Sequence, residues 1–259
     1  MTNNKAFSLL HIFKTSLSQI LCSGVLLNVL CMPAAQADMV VETTRVVYQE
    51  GKRDVTFKVT NTSKERPAFV QMWLDDGNQQ ASPEEIATPF SMSPPVARIN
   101  AGRSQVVRLV YTGEPQSKDK ETLYWFNMLE VPPKSDEPNR LSFAIRTRIK
   151  LFFRPKALVN DPSSVTDNLQ WSLKRNGNNW VIEGYNPTPF HMSFYSLKLM
   201  DGNAALPVNE GGMLLPQSRQ TFELKNADKL LLNAKSLQVD LINDYGGVSS
   251  KEYLLAKAN

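Results

Sequence analysis

The sequence predicts an all-β chain of two β-sandwich domains, and three observations predict it. Strand-sized segments alternate apolar and polar side chains with a period of two, which no helical stripe reproduces. Turn residues (Gly, Asn, Asp and Pro) punctuate these segments at the spacing of short antiparallel strands. The pattern resets once, after Arg154-Pro155, where Leu158-Val159-Asn160-Asp161-Pro162 reads as a linker because proline forbids a continued ladder. The halves are 38–157 and 158–259, roughly 120 and 100 residues, each an ordinary domain size.

Residues 1–37 stand apart from both halves. Lys5 and Lys14 precede the apolar run Ile20–Met32, and Ala35-Gln36-Ala37 follows as a small-x-small cleavage pattern. The run is too short and wrongly flanked for a membrane span, so a secretory signal cleaved after Ala37 is expected, leaving 222 residues from Asp38. Both cysteines, Cys22 and Cys31, leave with it, so core size and not disulfides must stabilise the exported chain. Removing Lys5 and Lys14 from the 29 basic residues leaves 27 against 25 acidic ones, a net charge of +2. That balance argues against nucleic acid as a partner, and no second long apolar run argues for membrane insertion.

The mature chain opens with a strand over Val40–Tyr48, closed by Gln49-Glu50-Gly51. Val55–Thr60 and Ala68–Leu74 alternate next, the latter ended by Asp75-Asp76-Gly77-Asn78. Ser93-Pro94-Pro95-Val96 reads as a rigid corner with room for a cis prolyl bond. Gln105–Tyr111 and Leu123–Val131 are further strands, and Pro132-Pro133 stops the second. Only Pro83–Ala87 and Lys118–Glu121 suggest brief helical turns. In the second half, strands are expected at Leu169–Lys174, Trp180–Tyr185, Met192–Met200, Arg219–Leu224 and Leu237–Ile242.

The longest alternation lies at the end of the first half. Leu141, Phe143, Ile145, Thr147, Ile149, Leu151 and Phe153 occupy one face, while Arg146, Arg148, Lys150 and Arg154 make the other basic. Thirteen residues at ~3.3 Å each would reach ~43 Å, well beyond the usual strand. The pattern fits a core strand with a solvated basic face, or a strand whose apolar row is partly kept for a partner.

Catalytic chemistry finds little support. His191 is the only histidine of the mature chain, and without cysteine the common zinc sites are closed off. A Ser-His-Asp site would have to use His191, which sits in the loop-like Asn186-Pro187-Thr188-Pro189-Phe190 context and reads as a plain exposed or packed histidine. No phosphate-binding glycine loop is present, and the carboxylate pairs Asp75-Asp76 and Glu84-Glu85 read as solvated.

Glu121-Thr122-Leu123-Tyr124-Trp125-Phe126-Asn127-Met128-Leu129-Glu130-Val131-Pro132-Pro133 resembles the signature of the periplasmic pilus-assembly chaperones, the PapD-like family. Four further segments agree in order and spacing: Thr44–Tyr48, Pro94–Arg98, Ile149–Pro155, and the pair Asn186–Phe190 with Ile242–Gly246. Two departures exist, Gln116-Ser117 where a Leu-Pro is often found, and no cysteine pair in the second domain. The resemblance implies two immunoglobulin-like domains in an L shape with a cleft between them. It implies a chaperone, not an enzyme, that needs no ATP, cofactor or metal. Such a chaperone caps a pilus subunit lacking its last strand by lending its own strand, here 141–153, and delivers it to an outer-membrane usher.

The resemblance also assigns residues. Arg45 and Lys150 match the paired cleft cations that bind the subunit's C-terminal carboxylate, a forked charge pair plus a point charge. Leu141, Phe143 and Ile145 match the row that fills the subunit's groove; burying them is worth ~5–9 kcal/mol before ordering costs. Glu121, Arg154 and Asp244 match a charge network that locks the two domains. The nine residues Pro132–Arg140 resemble the family branch with a short loop ahead of the lent strand (the F1–G1 loop), which generally serves rod-like pili. The sticky edge leaves room for a self-capping dimer of the free chain. A secreted structural or adhesive β-sandwich protein of a surface fibre is the alternative, and an exported hydrolase a third.

Overall fold

The structure is a computed structural model that describes residues 38–80, 82–113, 116–131, 143–158, 161–177, 179–224 and 234–257. The expected signal and its cleavage site, the 132–140 connection and Leu141 lie outside these residues.

The first half forms strands β1 (Met39–Val41), β2 (Arg45–Gln49), β3 (Val55–Asn61), β4 (Ala68–Asp75), β5 (Phe90–Ser93), β6 (Val96–Ile99), β7 (Ser104–Tyr111), β8 (Thr122–Val131) and β9 (Ile145–Arg154). They make a four-stranded sheet, β1-β3-β7-β5, and a five-stranded sheet, β2-β9-β8-β4-β6. Alternation along the strands sends Val59, Val70, Val107, Leu109, Phe126 and Leu151 into one core between the sheets, each at 0% exposure.

The opening segment differs from the single strand expected over Val40–Tyr48. Thr43 interrupts it: its Oγ1 donates to Arg45 O at 2.6 Å and accepts from Arg45 N–H at 3.4 Å, a local closure that competes with the ladder. The chain therefore switches sheets, β1 pairing with β3 and β2 running parallel to β9. The Ser93–Val96 corner has strands on either side, β5 in one sheet and β6 in the other, with the Ser93–Pro94 bond cis. Pro83–Ala87 and Lys118–Glu121 form turns and bends in place of helix.

In the second half, a 3-10 helix spans Pro162–Asn168, starting at the last residue of the Leu158–Pro162 linker. Asp161 caps it, accepting from Ser163 N–H at 2.8 Å, and Pro162 stands at its first turn where no amide donor is needed. Strands β10 (Gln170–Asn176), β11 (Asn179–Asn186), β12 (Met192–Asp201), β13 (Ala204–Leu214), β14 (Ser218–Glu223), β15 (Ser236–Ile242) and β16 (Val248–Lys257) follow. They form one hydrogen-bonded order, β13-β12-β15-β16-β10-β11-β14. β16 closes it, antiparallel to β15 through Leu254 and then parallel to β10 from Leu255. A second core, with Trp171, Ile182, Phe194, Leu197, Leu237 and Val239, is separate from the first. The chain is thus two β-sandwich-like domains, each with its own core.

Candidate functional site

The site is built along β9, whose two ends have different fates. Toward its C-terminal end Ile149, Leu151 and Phe153 are 8%, 0% and 1% exposed and belong to the first core. Toward its start Ile145 is 44% exposed and Phe143, just ahead of the strand, 73%. Core burial and an available apolar row therefore share one strand.

Its hydrogen bonding divides at the same place. β8 pairs with β9 from Ile145 to Phe153. On the other flank β2 covers only Lys150–Arg154, with Arg45 opposite Lys150 and Gln49 opposite Arg154. Ile145–Ile149 have no strand on that flank among the described residues, so their outward amides and carbonyls form an open edge.

Where the edge closes, two cations face the second domain. The pairing of Arg45 with Lys150 sets them side by side. Arg45 Nη1 donates to Ile242 O at 3.2 Å, while its buried Nε has no hydrogen-bond partner among the described residues. Lys150 Nζ donates to Ser193 Oγ at 3.0 Å. Burial, with the neighbouring Arg45 second, pulls the Lys150 ammonium from its ordinary 10.5 down to about 8; burial likewise lowers Arg45. Two adjacent, partly buried cations can together hold an anion.

Beyond them β9 ends in a clamp between the domains. Arg154 forks onto Asp244 (Nη1 to Oδ2 2.8 Å, Nη2 to Oδ1 3.1 Å), and its Nε donates to Glu121 Oε1 at 2.8 Å. Glu121 Oε2 accepts from His191 N–H at 2.8 Å and lies 3.2 Å from His191 Nδ1. Burial opposes the Arg154 charge, but Asp244 and Glu121 outweigh it and raise its pKa. The structure thus brings together Glu121, Arg154 and Asp244, and adds His191, a packed residue whose ring lies 5.3 Å from that of Phe152. Ser193 and His191 carried no sequence signal; their partners are 43 and 70 residues away.

One expectation is overturned. Asp75, read as solvated beside Asp76, has a side chain with 0% exposure, because Arg146 and Arg148 from β9 reach across β8 and cover it. Among the described residues no group of three or more His, Cys, Asp or Glu could hold a metal ion. No helix among them is long and apolar enough to cross a membrane.

Comparison with known proteins covers both domains. The family model for the pili and flagellar-assembly chaperone PapD N-terminal domain matches residues 38–159, and that for the pili assembly chaperone PapD C-terminal domain matches 164–253. The chaperone protein FimB/FhaD of Bordetella pertussis is 38% identical over 231 residues, 86% of this chain and 91% of that protein. The crystal structure of the Pseudomonas aeruginosa CupB2 chaperone aligns with a TM-score of 0.71 at 36% identity, covering 84% of this chain and all of that one. The Salmonella enterica SafB chaperone, solved in complex with the SafA pilin, aligns at 0.70 and 29% identity, covering 86% and 99%.

Proposed function

Because the chain belongs to the PapD-like family of pilus-assembly chaperones, we propose that it is a periplasmic chaperone that binds and caps pilus subunits and delivers them to an outer-membrane usher. The observation that carries this reading is the half-open β9: paired along Ile145–Phe153 by β8, but by β2 only from Lys150 onward. A subunit lacking its last strand presents the complementary row of backbone donors and acceptors. Leu141, Phe143 and Ile145 are the groove-filling row, and the exposure of the latter two supports that role. The SafB chaperone, a relative, is solved in complex with the SafA pilin, which supports subunit binding.

Arg45 and Lys150 bind the subunit's terminal carboxylate in this reading. The unpartnered Arg45 Nε and the depressed Lys150 pKa support it, since one leaves a donor to offer and the other reflects a partly buried ammonium beside a second cation. Anchoring the terminus sets the register of the lent strand; a slip by one residue would turn the apolar row to the wrong face. Exchange at the usher is driven by a final partner strand that fits the subunit better than the lent one. The nine-residue 132–140 connection and the seven residues between the expected cleavage site and Arg45 support the short-loop branch, which generally serves rod-like pili.

Co-expression with a fimbrial subunit in the periplasm tests the proposal. The wild-type chain should keep the subunit soluble in a 1:1 complex, and Arg45→Ala or Lys150→Ala should abolish that rescue while leaving the free protein folded. Normal subunit yield from both variants refutes the carboxylate assignment, and recovery of this chain in sheared surface fibres points to a structural protein instead.

A further inference from the structure

The opposite face of β9 carries a side-chain cluster that the carboxylate site and the interdomain clamp leave unused. Asp75 ends β4 on the outer face of the five-stranded sheet, yet its side chain has 0% exposure. Its Oδ1 accepts from Gly77 N–H at 2.7 Å and from Arg148 Nη2 at 2.5 Å. Its Oδ2 accepts from Asn127 Nδ2 at 2.7 Å, Arg148 Nε at 3.1 Å and Arg146 Nη2 at 3.5 Å. Arg146 also donates through Nε and Nη2 to Asn127 Oδ1 (3.0 and 2.8 Å) and through Nη1 to Gln79 O at 3.0 Å. Each guanidinium lies over an indole, Arg148 3.9 Å from the Trp125 ring and Arg146 4.9 Å from Trp73.

The location matters more than the strength of these contacts. Arg146 and Arg148 belong to the stretch Ile145–Ile149, where β9 has a backbone partner on one flank only. The cluster ties that stretch across β8 to β4, at right angles to the open edge. A strand held by one ladder would fray and would have to be ordered when a partner adds to it. Burial disfavours the Asp75 carboxylate, but the hydrogen bonds from Arg148, Asn127 and Gly77 outweigh it, so its pKa lies below the ordinary range and the tie is charged at neutral pH.

We propose that Asp75 is a positioning residue that holds the open half of β9 extended and ready for strand addition, through Arg146 and Arg148. This rests on the reading that β9 is the lent strand. It predicts that the cluster acts on the rate and affinity of subunit capture and contributes little to global stability, since both arginines can return to solvent when the carboxylate is removed.

Two measurements on the full mature chain with Asp75→Ala test it. Amide hydrogen exchange, read without any subunit, should accelerate about tenfold at the 145–149 amides bonded to β8 and at their β8 partners, and stay unchanged in the β1-β3-β7-β5 sheet and the second domain. Dilution of a denatured fimbrial subunit into the variant should give about tenfold slower capture, at an unchanged thermal midpoint. Unchanged exchange at 145–149, or faster exchange with wild-type capture, overturns the proposal while β9 can still be the lent strand. Wild-type capture by Phe143→Glu and Ile145→Glu in the same assay removes the underlying reading instead. Should Asp75→Ala unfold globally, Arg146→Gln, whose wild-type side chain is 32% exposed, carries the same two expectations.

Discussion

In the proposed carboxylate site, Lys150 would serve binding at the expense of the fold. Its ammonium is held in a partly buried place beside Arg45, and burial first, then that neighbour, brings its pKa to about 8. In the unfolded chain it returns to 10.5, so the unfolded state binds more protons between these values and folding stability rises with pH across that window. Capture of a carboxylate follows the opposite sign, because it needs the charged form, which is lost as pH rises through 8. Subunit affinity measured from pH 7 to pH 9 should therefore fall by roughly tenfold, and Lys150→Arg should flatten the profile, since arginine stays charged. Lys150→Met should stabilise the free chain at pH 7 by about 1 kcal/mol in a urea titration while abolishing capture. A pH-independent wild-type affinity would contradict the role given to this cation. Arg45, Lys150 and Arg154 could be found in the sequence because each sits in a segment resembling the family. Ser193, His191 and Asp75 could not, because their meaning depends on partners 43 to 73 residues away.

On the scale of one strand, the same alternating row meets two environments. The sequence pattern runs unbroken from Leu141 to Phe153, and nothing in it marks where core ends and open edge begins. That boundary is set by β2, a strand of only five residues that reaches Lys150 and no further. Single charges placed along the row should read it out. Phe143→Glu and Ile145→Glu should weaken subunit binding by about 1.5–3 kcal/mol each and leave the thermal midpoint of the free chain unmoved. Leu151→Glu, one pleat repeat beyond Ile149, puts an unpaired charge into a site with 0% exposure and should cost more than about 4 kcal/mol, enough to unfold the domain. A cooperative loss of fold in Ile145→Glu would place that residue in the core. One strand absent from the sequence pattern has a steric reason. β13 contains Pro207, Gly211 and Gly212, which weaken its strand signal, but a side chain at Gly212 would run into the Phe194 ring, so packing demands glycine there.

For the whole molecule, the question is what fixes one domain against the other when each has its own core. We propose that the ion pairs of Arg154 with Glu121 and Asp244 contribute direction more than free energy, since burying Arg154 and Glu121 costs desolvation that their attraction roughly offsets. A second device is steric. Gly246, in the β15–β16 turn, adopts a φ of +84°, and any Cβ there would collide with Thr44 Oγ1 at the foot of β2. The contact brings the turn that holds Asp244 against the residue that precedes Arg45, so a loosened fit here should disturb the cation site without touching a charge. Gly246→Ala should cost about 1–3 kcal/mol, from the left-handed backbone and the clash together. Thr44→Ala, at an exposed position, should be nearly neutral alone and should recover only the clash when combined with Gly246→Ala, leaving about 1 kcal/mol of backbone cost. Urea unfolding of the four proteins gives this cycle directly. Subunit capture should fall in Gly246→Ala and return partly in the double variant. Additive free energies would show that Thr44 and Gly246 do not meet, and that the charge clamp alone sets the angle at which Arg45 and Lys150 face the second domain.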